Sequence, residues 1–181
     1  MLRSFIRIVA IVLVCALASS SMVSFSQAAA QQELDDVRSI AFFGFRLINT
    51  SVVPPSEAEF RRLKLLDVLM DEKLKSSGRY KVVPVPEQIM RDVEKGQHFG
   101  ECSCETDYGK KVGAQLVGWG TVEKISNLIL NINVYIADVK TNQYVFIRSV
   151  DIRSNDDRSW TKGLGWLLKK YLIPEKAAKA P

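Results

Sequence analysis

Two cysteines and the only histidine of the chain lie close together. His98 is followed by Cys102 and Cys104, which a single serine separates. Thiolates and imidazole are ligands that zinc and copper(I) prefer, although a closed zinc site needs four such groups. We expect a local disulfide between Cys102 and Cys104, although a bond between residues only two apart requires a tight and strained turn of the backbone. The alternatives are a bond between two chains, a redox pair, unreacted thiols, and a metal site built on His98 and both cysteines.

A second set of side chains suited to binding follows two predicted strands. Asn131, Asn133 and Tyr135 alternate with apolar residues in one strand, and Trp119 belongs to a similar row in the strand before it. Aromatic faces beside amide groups can hold a sugar or a peptide backbone, and exposed apolar groups mark contact surfaces. If both rows share a face, these four residues form a partner-binding surface. The alternative is that a helix, such as the last one, packs over this face.

The sequence lacks the motifs of the common enzyme classes. It contains no Gly-x-Ser-x-Gly elbow, no Walker loop and no His-Glu-x-x-His motif. The glycines at 118 and 120 lie inside a predicted strand and form no dinucleotide fingerprint. A catalytic site that depends on histidine would have to use His98. We therefore expect a protein that is not an enzyme and needs no cofactor.

Residues 1–30 have the pattern of an export signal. Arg3 and Arg7 precede an apolar run at 8–18, and small residues follow at the end of the segment. This run is shorter than the roughly 20 residues that a membrane-spanning helix needs, so we expect a cleaved signal peptide and no transmembrane segment after cleavage. Export to the periplasm of a Gram-negative-type envelope exposes the cysteines to oxidising conditions, which supports the disulfide.

The rest of the chain has the length of one domain and a small positive charge. Removing residues 1–30 lowers the formal charge from +5 to +3. The basic residues are scattered and form no stripe, and the one dense cluster, Lys169 and Lys170 with Lys176 and Lys179, lies at the tail, so we expect no nucleic-acid binding. Residues 31–175 are expected to form a single α/β domain, and the Ala/Lys-rich residues 176–181 a disordered tail. Nothing in the composition predicts the oligomeric state.

Hydrophobic periodicity predicts strands and helices around a mixed sheet. Ser56 and Glu59 form a capping box at the start of a long amphipathic helix, and residues 128–138 alternate as a strand with one core face and one partly wet face. The pattern indicates an α/β layered domain with a mixed five-stranded sheet in the order β-α-β-α-(α)-β-β-β-α. The predicted elements are strand 39–49, helix 57–76, strand 79–83, helix 86–95, helix 105–112, strand 115–125, strand 128–138, strand 144–153 and a last helix to about residue 172. The apolar stripe of this last helix is predicted to contain Trp160, Leu164, Leu167, Leu168 and Tyr171.

Several segments resemble a family of exported bacterial proteins catalogued only as a domain of unknown function. These segments are Val117–Gly120, Lys124–Asn133, Asp138–Val139, Ser149–Arg153, Ser159–Trp160, Phe45–Ser51 and Ser77–Tyr80. The resemblance covers nearly all of the chain after the leader, and it implies no role for any particular residue. In that family two residues often separate the cysteines, whereas only Ser103 does so here, so no Cys-x-x-Cys function is carried over.

The order of strands and helices also resembles the amino-terminal domain of the periplasmic translocation protein TolB and the periplasmic domain of the curli secretion protein CsgG. Such domains act in envelope assembly or protein contact, which implies an envelope protein as partner. The sequence thus predicts a non-catalytic exported binding or envelope-assembly module. The alternative is a periplasmic redox or metal-binding protein that uses the loop with Cys102 and Cys104.

Overall fold

A computed structural model describes residues 37–96 and 98–174 of the chain. The expected signal peptide at 1–30 and the expected tail at 176–181 lie outside the described residues. The elements follow one another in the predicted order. They are β1 (Arg38–Asn49), α1 (Glu57–Ser76), β2 (Tyr80–Val82), α2 (Glu87–Lys95), α3 (Glu105–Lys111), β3 (Leu116–Ser126), β4 (Ile129–Asp138), β5 (Gln143–Ile152) and α4 (Asp157–Leu167), which a π-helical turn (Leu168–Leu172) continues.

The five strands form one mixed sheet in the order β2-β1-β3-β4-β5. β1 runs parallel to β2 and β3, and β3, β4 and β5 form an antiparallel meander. β2 pairs only with Arg38–Ile40 at the beginning of β1. The predicted α/β fold with a mixed five-stranded sheet and four helices is therefore confirmed.

The main core lies between one face of the sheet and the helices α1 and α4. Alternate residues of β4, from Leu130 to Ile136, point into it and are almost completely buried. α1 begins at the predicted capping box, where Ser56 and Glu59 bond reciprocally, and its apolar residues recur at helical spacing. The large side chain of Trp160 on α4 is fully buried in the same core. Removing such an apolar side chain from water stabilises the fold by roughly 1.5–3 kcal/mol.

A smaller core lies on part of the opposite face of the sheet. There α2, α3 and the loop with the cysteines pack over Phe43, Val117 and Trp119. The remaining part of this face carries polar side chains that are partly exposed. The expectation of one core face and one partly wet face along β4 is confirmed. No helix in the described part of the chain is long and apolar enough to cross a membrane.

A buried ion pair joins three elements at one end of the sheet. Lys124 of β3 donates to Glu59 of α1 at 2.7 Å, and neither side chain is more than 2% exposed. Asn155, just before α4, donates to the same carboxylate at 2.6 Å. Burial alone would raise the pKa of Glu59, but hydrogen bonds from Lys124, Ser56 and Asn155 lower it to about 2. The charge of Glu59 therefore helps to hold α1, β3 and the start of α4 together.

The end of the last helix differs from the prediction. Tyr171 was expected on the apolar stripe, but it is 39% exposed and Leu172 is buried in its place. The amide of Ile173 donates to the carbonyl of Leu168, five residues earlier, at 2.8 Å. This π-helical turn contains one more residue than an α-helical turn, which rotates Tyr171 outward while Leu172 enters the core.

Candidate functional site

The register of the meander brings the predicted binding residues onto one face. Trp119 lies directly opposite Tyr135, Thr121 opposite Asn133 and Glu123 opposite Asn131. The hypothesis that the two rows share a face is thus confirmed. β5 extends the surface. We call it the open sheet face, made of Thr121, Glu123, Asn131, Asn133, Tyr135, Tyr144, Ile147, Ser149 and Asp151.

The polar half of the open sheet face is held by hydrogen bonds between strands. The amide nitrogen of Asn133 donates to Thr121 Oγ1 at 3.1 Å and to Glu123 Oε1 at 3.2 Å. That of Asn131 donates to Asp151 Oδ1 at 2.6 Å. Within residues 37–96 and 98–174, no hydrogen bond uses the side-chain oxygen of either asparagine. Both oxygens are therefore oriented acceptors that a ligand or partner could use.

The aromatic half changes from buried to exposed toward the edge strand. Trp119 stacks on Tyr135 with ring centroids 5.4 Å apart, and Tyr144 contacts both rings. Trp119 is only 4% exposed, whereas Tyr144 and Ile147 on β5 are 49% and 48% exposed. Partial burial, with the nearby Glu105 carboxylate, raises the pKa of Tyr144, so its phenol keeps its proton as a hydrogen-bond donor.

Sequence reasoning missed Tyr144 and Ile147 as members of this surface. The signal that could have found Tyr144 is the short predicted turn between β4 and β5, because the hairpin register places this residue opposite Ala137. A β-bulge between Ala137 and Ile136 then shifts the register by one residue, so that Ile147 lies opposite Tyr135 and Ser149 opposite Asn133, and no local pattern in the sequence predicts this shift.

The side chain that covers Trp119 comes from residues 98–104 before α3, which we call the cysteine loop. Phe99 packs edge-on against Trp119 at 5.6 Å and against Phe43 at 5.2 Å. The last helix does not cover this face but packs in the main core. Trp119 is therefore a support beneath Tyr135 and Tyr144, and the exposed contact area lies closer to β5.

The cysteine loop holds Phe99 in this position. Cys102 and Cys104 are joined by a disulfide, and the Cys104 amide donates to Cys102 Sγ at 3.2 Å. The buried carboxylate of Glu105 accepts a hydrogen bond from the Gly100 amide. His98 is exposed. Within the described ranges no three His, Cys, Asp or Glu side chains are grouped so that they could hold a metal ion, and the bonded sulfurs are not free thiolate ligands.

A cavity of about 340 Å³ lies along β1 beyond the end of β2. Apolar side chains from α1, α2 and the cysteine loop line it, among them the half-exposed Phe60. Gly44 has a φ of +83° there and allows β1 to bulge. Asp67 Oδ1 accepts from the Phe45 amide at 2.8 Å, and burial raises the pKa of Asp67 to about 6. Because β2 pairs only with the beginning of β1, the Phe45 amide has no partner strand on that side, and the Asp67 carboxylate accepts its hydrogen bond instead.

These observations define an α/β domain that has a covered core face and a partly exposed polar and aromatic face. The chain belongs to the DUF3280 family, described as "Protein of unknown function (DUF2380)", whose model matches residues 38–172. No curated protein sequence matches it.

Several solved structures are similar to the chain. The lipoprotein GNA1162 from Neisseria meningitidis is 13% identical, with a TM-score of 0.48, and the match covers 66% of this chain and 83% of that one. The C-terminal domain of LpoB from Salmonella enterica is 12% identical, with a TM-score of 0.47 and coverages of 65% and 83%. TolB from Acinetobacter baumannii is 12% identical, with a TM-score of 0.41 and coverages of 69% and 25%.

Proposed function

We propose that this protein is a non-catalytic, exported binding or assembly module of the cell envelope that contacts a protein partner through the open sheet face. The observation that carries the proposal is the exposure of Tyr144 and Ile147 beside two asparagines with unused acceptor oxygens. Exposed aromatic and aliphatic groups next to oriented polar groups are typical of protein-contact surfaces. Tyr144, Ile147 and Tyr135 supply apolar contact area, while Asn131 and Asn133 accept hydrogen bonds from the partner.

Trp119 contributes to the proposed contact from below. It is buried between Phe99 and Tyr135, so it fixes the position of the tyrosine rings and does not itself reach the partner. Alanine at Trp119 would leave a cavity and cost about 3–5 kcal/mol of stability. Substitutions at exposed positions therefore test the surface more cleanly than substitutions of this tryptophan.

The remaining parts of the proposal rest on the sequence. The pattern of residues 1–30 supports export to the periplasm. The absence of catalytic motifs from the sequence supports a role in binding, and the single histidine, His98, is exposed in a loop outside the open sheet face. A disulfide between Cys102 and Cys104 agrees with an oxidising compartment.

Site-specific photocross-linking in intact cells tests the contact. A photoreactive amino acid at Ile147 should give one discrete adduct with an envelope protein, which mass spectrometry identifies. The matched control is Val68 on α1, which is an aliphatic residue of similar exposure at 56% but lies outside the open sheet face. Binding of the identified protein should then be weakened by Ile147→Arg and unchanged by Val68→Arg.

Two results would contradict the proposal. One is an adduct pattern at Ile147 that equals the pattern at Val68. The other is recovery of the unprocessed protein from the cytoplasmic fraction, which would exclude an envelope role whatever the cross-links show.

A further inference from the structure

A second surface lies at the end of α4, on the opposite side of the sheet from the open sheet face. Trp166 and Tyr171 are 49% and 39% exposed there, and their rings meet edge-on at 5.7 Å. Lys170 lies over both rings, at 4.6 Å from Trp166 and 5.1 Å from Tyr171. Arg148 of β5 lies 5.4 Å from the Tyr171 ring. We call these four residues the terminal aromatic patch.

Basic residues predominate in two described segments around the terminal aromatic patch. Residues 158–174 contain four basic and no acidic residues, and the same holds for residues 73–86 at the end of α1 and in β2. The two segments meet in space, since Arg79 donates to the Pro174 carbonyl at 3.3 Å. Lys162 precedes Trp166 by one helical turn and so lies on the same side of α4.

The π-helical turn places Tyr171 in this patch. Because the turn contains an additional residue, Leu172 fills the core position and Tyr171 moves outward beside Trp166. Two large aromatic rings are thus partly exposed to solvent, while the leucines on the inner side of the same helix fill the core. Exposed aromatic rings among basic residues on the outer side of an amphipathic helix are typical of segments that lie at a lipid headgroup layer.

We infer that the terminal aromatic patch binds the surface of an anionic phospholipid bilayer. Trp166 and Tyr171 enter the headgroup region, and the basic side chains Lys162, Lys170, Arg148 and Arg79 pair with lipid phosphates. Two rings bury little area, so the attachment is reversible and depends on the anionic charge of the lipid. This inference is independent of the proposed partner contact, because the open sheet face lies on the other side of the sheet.

Vesicle co-sedimentation tests the inference on the processed protein, which keeps its C-terminal residues. The protein should sediment with phosphatidylcholine vesicles that contain about one third phosphatidylglycerol and stay in solution with pure phosphatidylcholine. Raising the salt to about 0.5 M should release it, because charges in solvent are then screened within a few ångströms. Lys170→Gln should weaken binding about fivefold, and Lys162→Gln together with Lys170→Gln roughly 25-fold.

Tryptophan fluorescence reports the position of the patch directly. Of the three tryptophans, Trp119 and Trp160 are buried, so acrylamide quenches mainly Trp166 in the free protein. Binding to phosphatidylglycerol vesicles should protect Trp166 from acrylamide. The matched control for the lysines is Lys95→Gln, an exposed lysine at the end of α2 on the other side of the sheet, which should bind as the wild type does.

The inference is overturned if the protein binds neither vesicle, or both equally. It is also overturned if Lys95→Gln weakens binding as much as Lys170→Gln, or if Trp166 stays fully accessible to acrylamide in the bound state. Binding to soluble polyglutamate but not to vesicles, with the same dependence on Lys170, would assign the patch to an acidic macromolecule instead of a membrane.

Discussion

Replacing Glu59 by glutamine should remove a large share of the stability of the fold. Glutamine can still accept the capping hydrogen bond from the Ser56 amide, so the substitution changes mainly the charge beside Lys124. The pKa of Glu59 falls from 4.5 to about 2 in the folded protein. At about 1.4 kcal/mol per pH unit, the ionised carboxylate stabilises the fold by about 3 kcal/mol. Leaving Lys124 buried without its partner gives a loss of the same size, about 3–5 kcal/mol.

The loss should depend on pH in a defined direction. Because folding lowers the pKa of Glu59, its stabilisation is complete above pH 4.5 and disappears as the pH falls toward about 2. Urea unfolding followed by circular dichroism at pH 7, 4.5 and 3 should show a difference between wild type and Glu59→Gln that shrinks as the pH falls. The pKa of Asp138 is lowered too, and it is present in both proteins, so the difference isolates Glu59.

Glu57→Gln is the matched control for this experiment. Glu57 lies in the same first turn of α1 but is exposed, so its replacement should change the free energy of unfolding by less than about 0.5 kcal/mol. If Glu59→Gln costs no more than Glu57→Gln at pH 7, the ion pair with Lys124 does not hold the three elements together and the reasoning is wrong. The double variant Glu59→Gln with Lys124→Met should recover part of the loss, because no unpaired charge is then buried.

Three further predictions concern single sites. Asp67→Asn should raise the free energy of unfolding by about 1–3 kcal/mol at pH 7 and have little effect at pH 4, because burial raises the pKa of Asp67 from 3.8 to about 6 and the folded state loses stability as the pH rises through that value. Urea titrations at both pH values check this, and an equal effect at both would contradict it. Gly120→Ala should cost about 1–3 kcal/mol, since a Cβ would overlap a neighbouring aromatic ring, whereas Gly165→Ala, with nothing within 4 Å of its Cβ, should gain about 0.5–1 kcal/mol. Thermal unfolding of the pair would refute the packing argument if the two changes had the same sign. The mass of the processed protein should increase by two hydrogen atoms on reduction if Cys102 and Cys104 are bonded within one chain, and an unchanged mass would count against the bond.

The order of elements could be predicted from the sequence because each boundary has a local cause. The start of α1 was predicted at its observed residue because the capping box with Ser56 and Glu59 acts over four residues of chain. The alternation along β4 likewise gave its two faces correctly, since the side chains of a strand point to opposite sides in turn. Elements predicted from such local patterns form in the folded protein unless tertiary contacts oppose them.

Most of the missed features have no signal in the local sequence pattern. Trp119 belongs to the row of β3 that the sequence predicts to be partly exposed. It is buried because Phe99, from a loop twenty residues earlier, packs over it. Tyr171 keeps helical spacing in the sequence, yet the π-helical turn moves it outward. Lys124 is an exception. Lys124 lies two residues after the buried Val122 in β3, so its side chain points to the same core face. A charged side chain in the core implies a buried acidic partner.

The two proposed contacts can be occupied at the same time because of how the sheet divides the molecule. α4 packs on the core face of β4 and β5, so the outer side of that helix faces away from the strands. Tyr144 and Ile147 lie on the opposite side of the same strands. A partner on the open sheet face and a bilayer at the terminal aromatic patch would therefore be separated by the sheet and the main core. Substitutions at Ile147 and Lys170 share no contact, so their effects on partner binding and membrane binding should be independent. With both contacts occupied, the domain would hold a partner protein near a membrane surface, although its described residues contain no membrane-spanning helix.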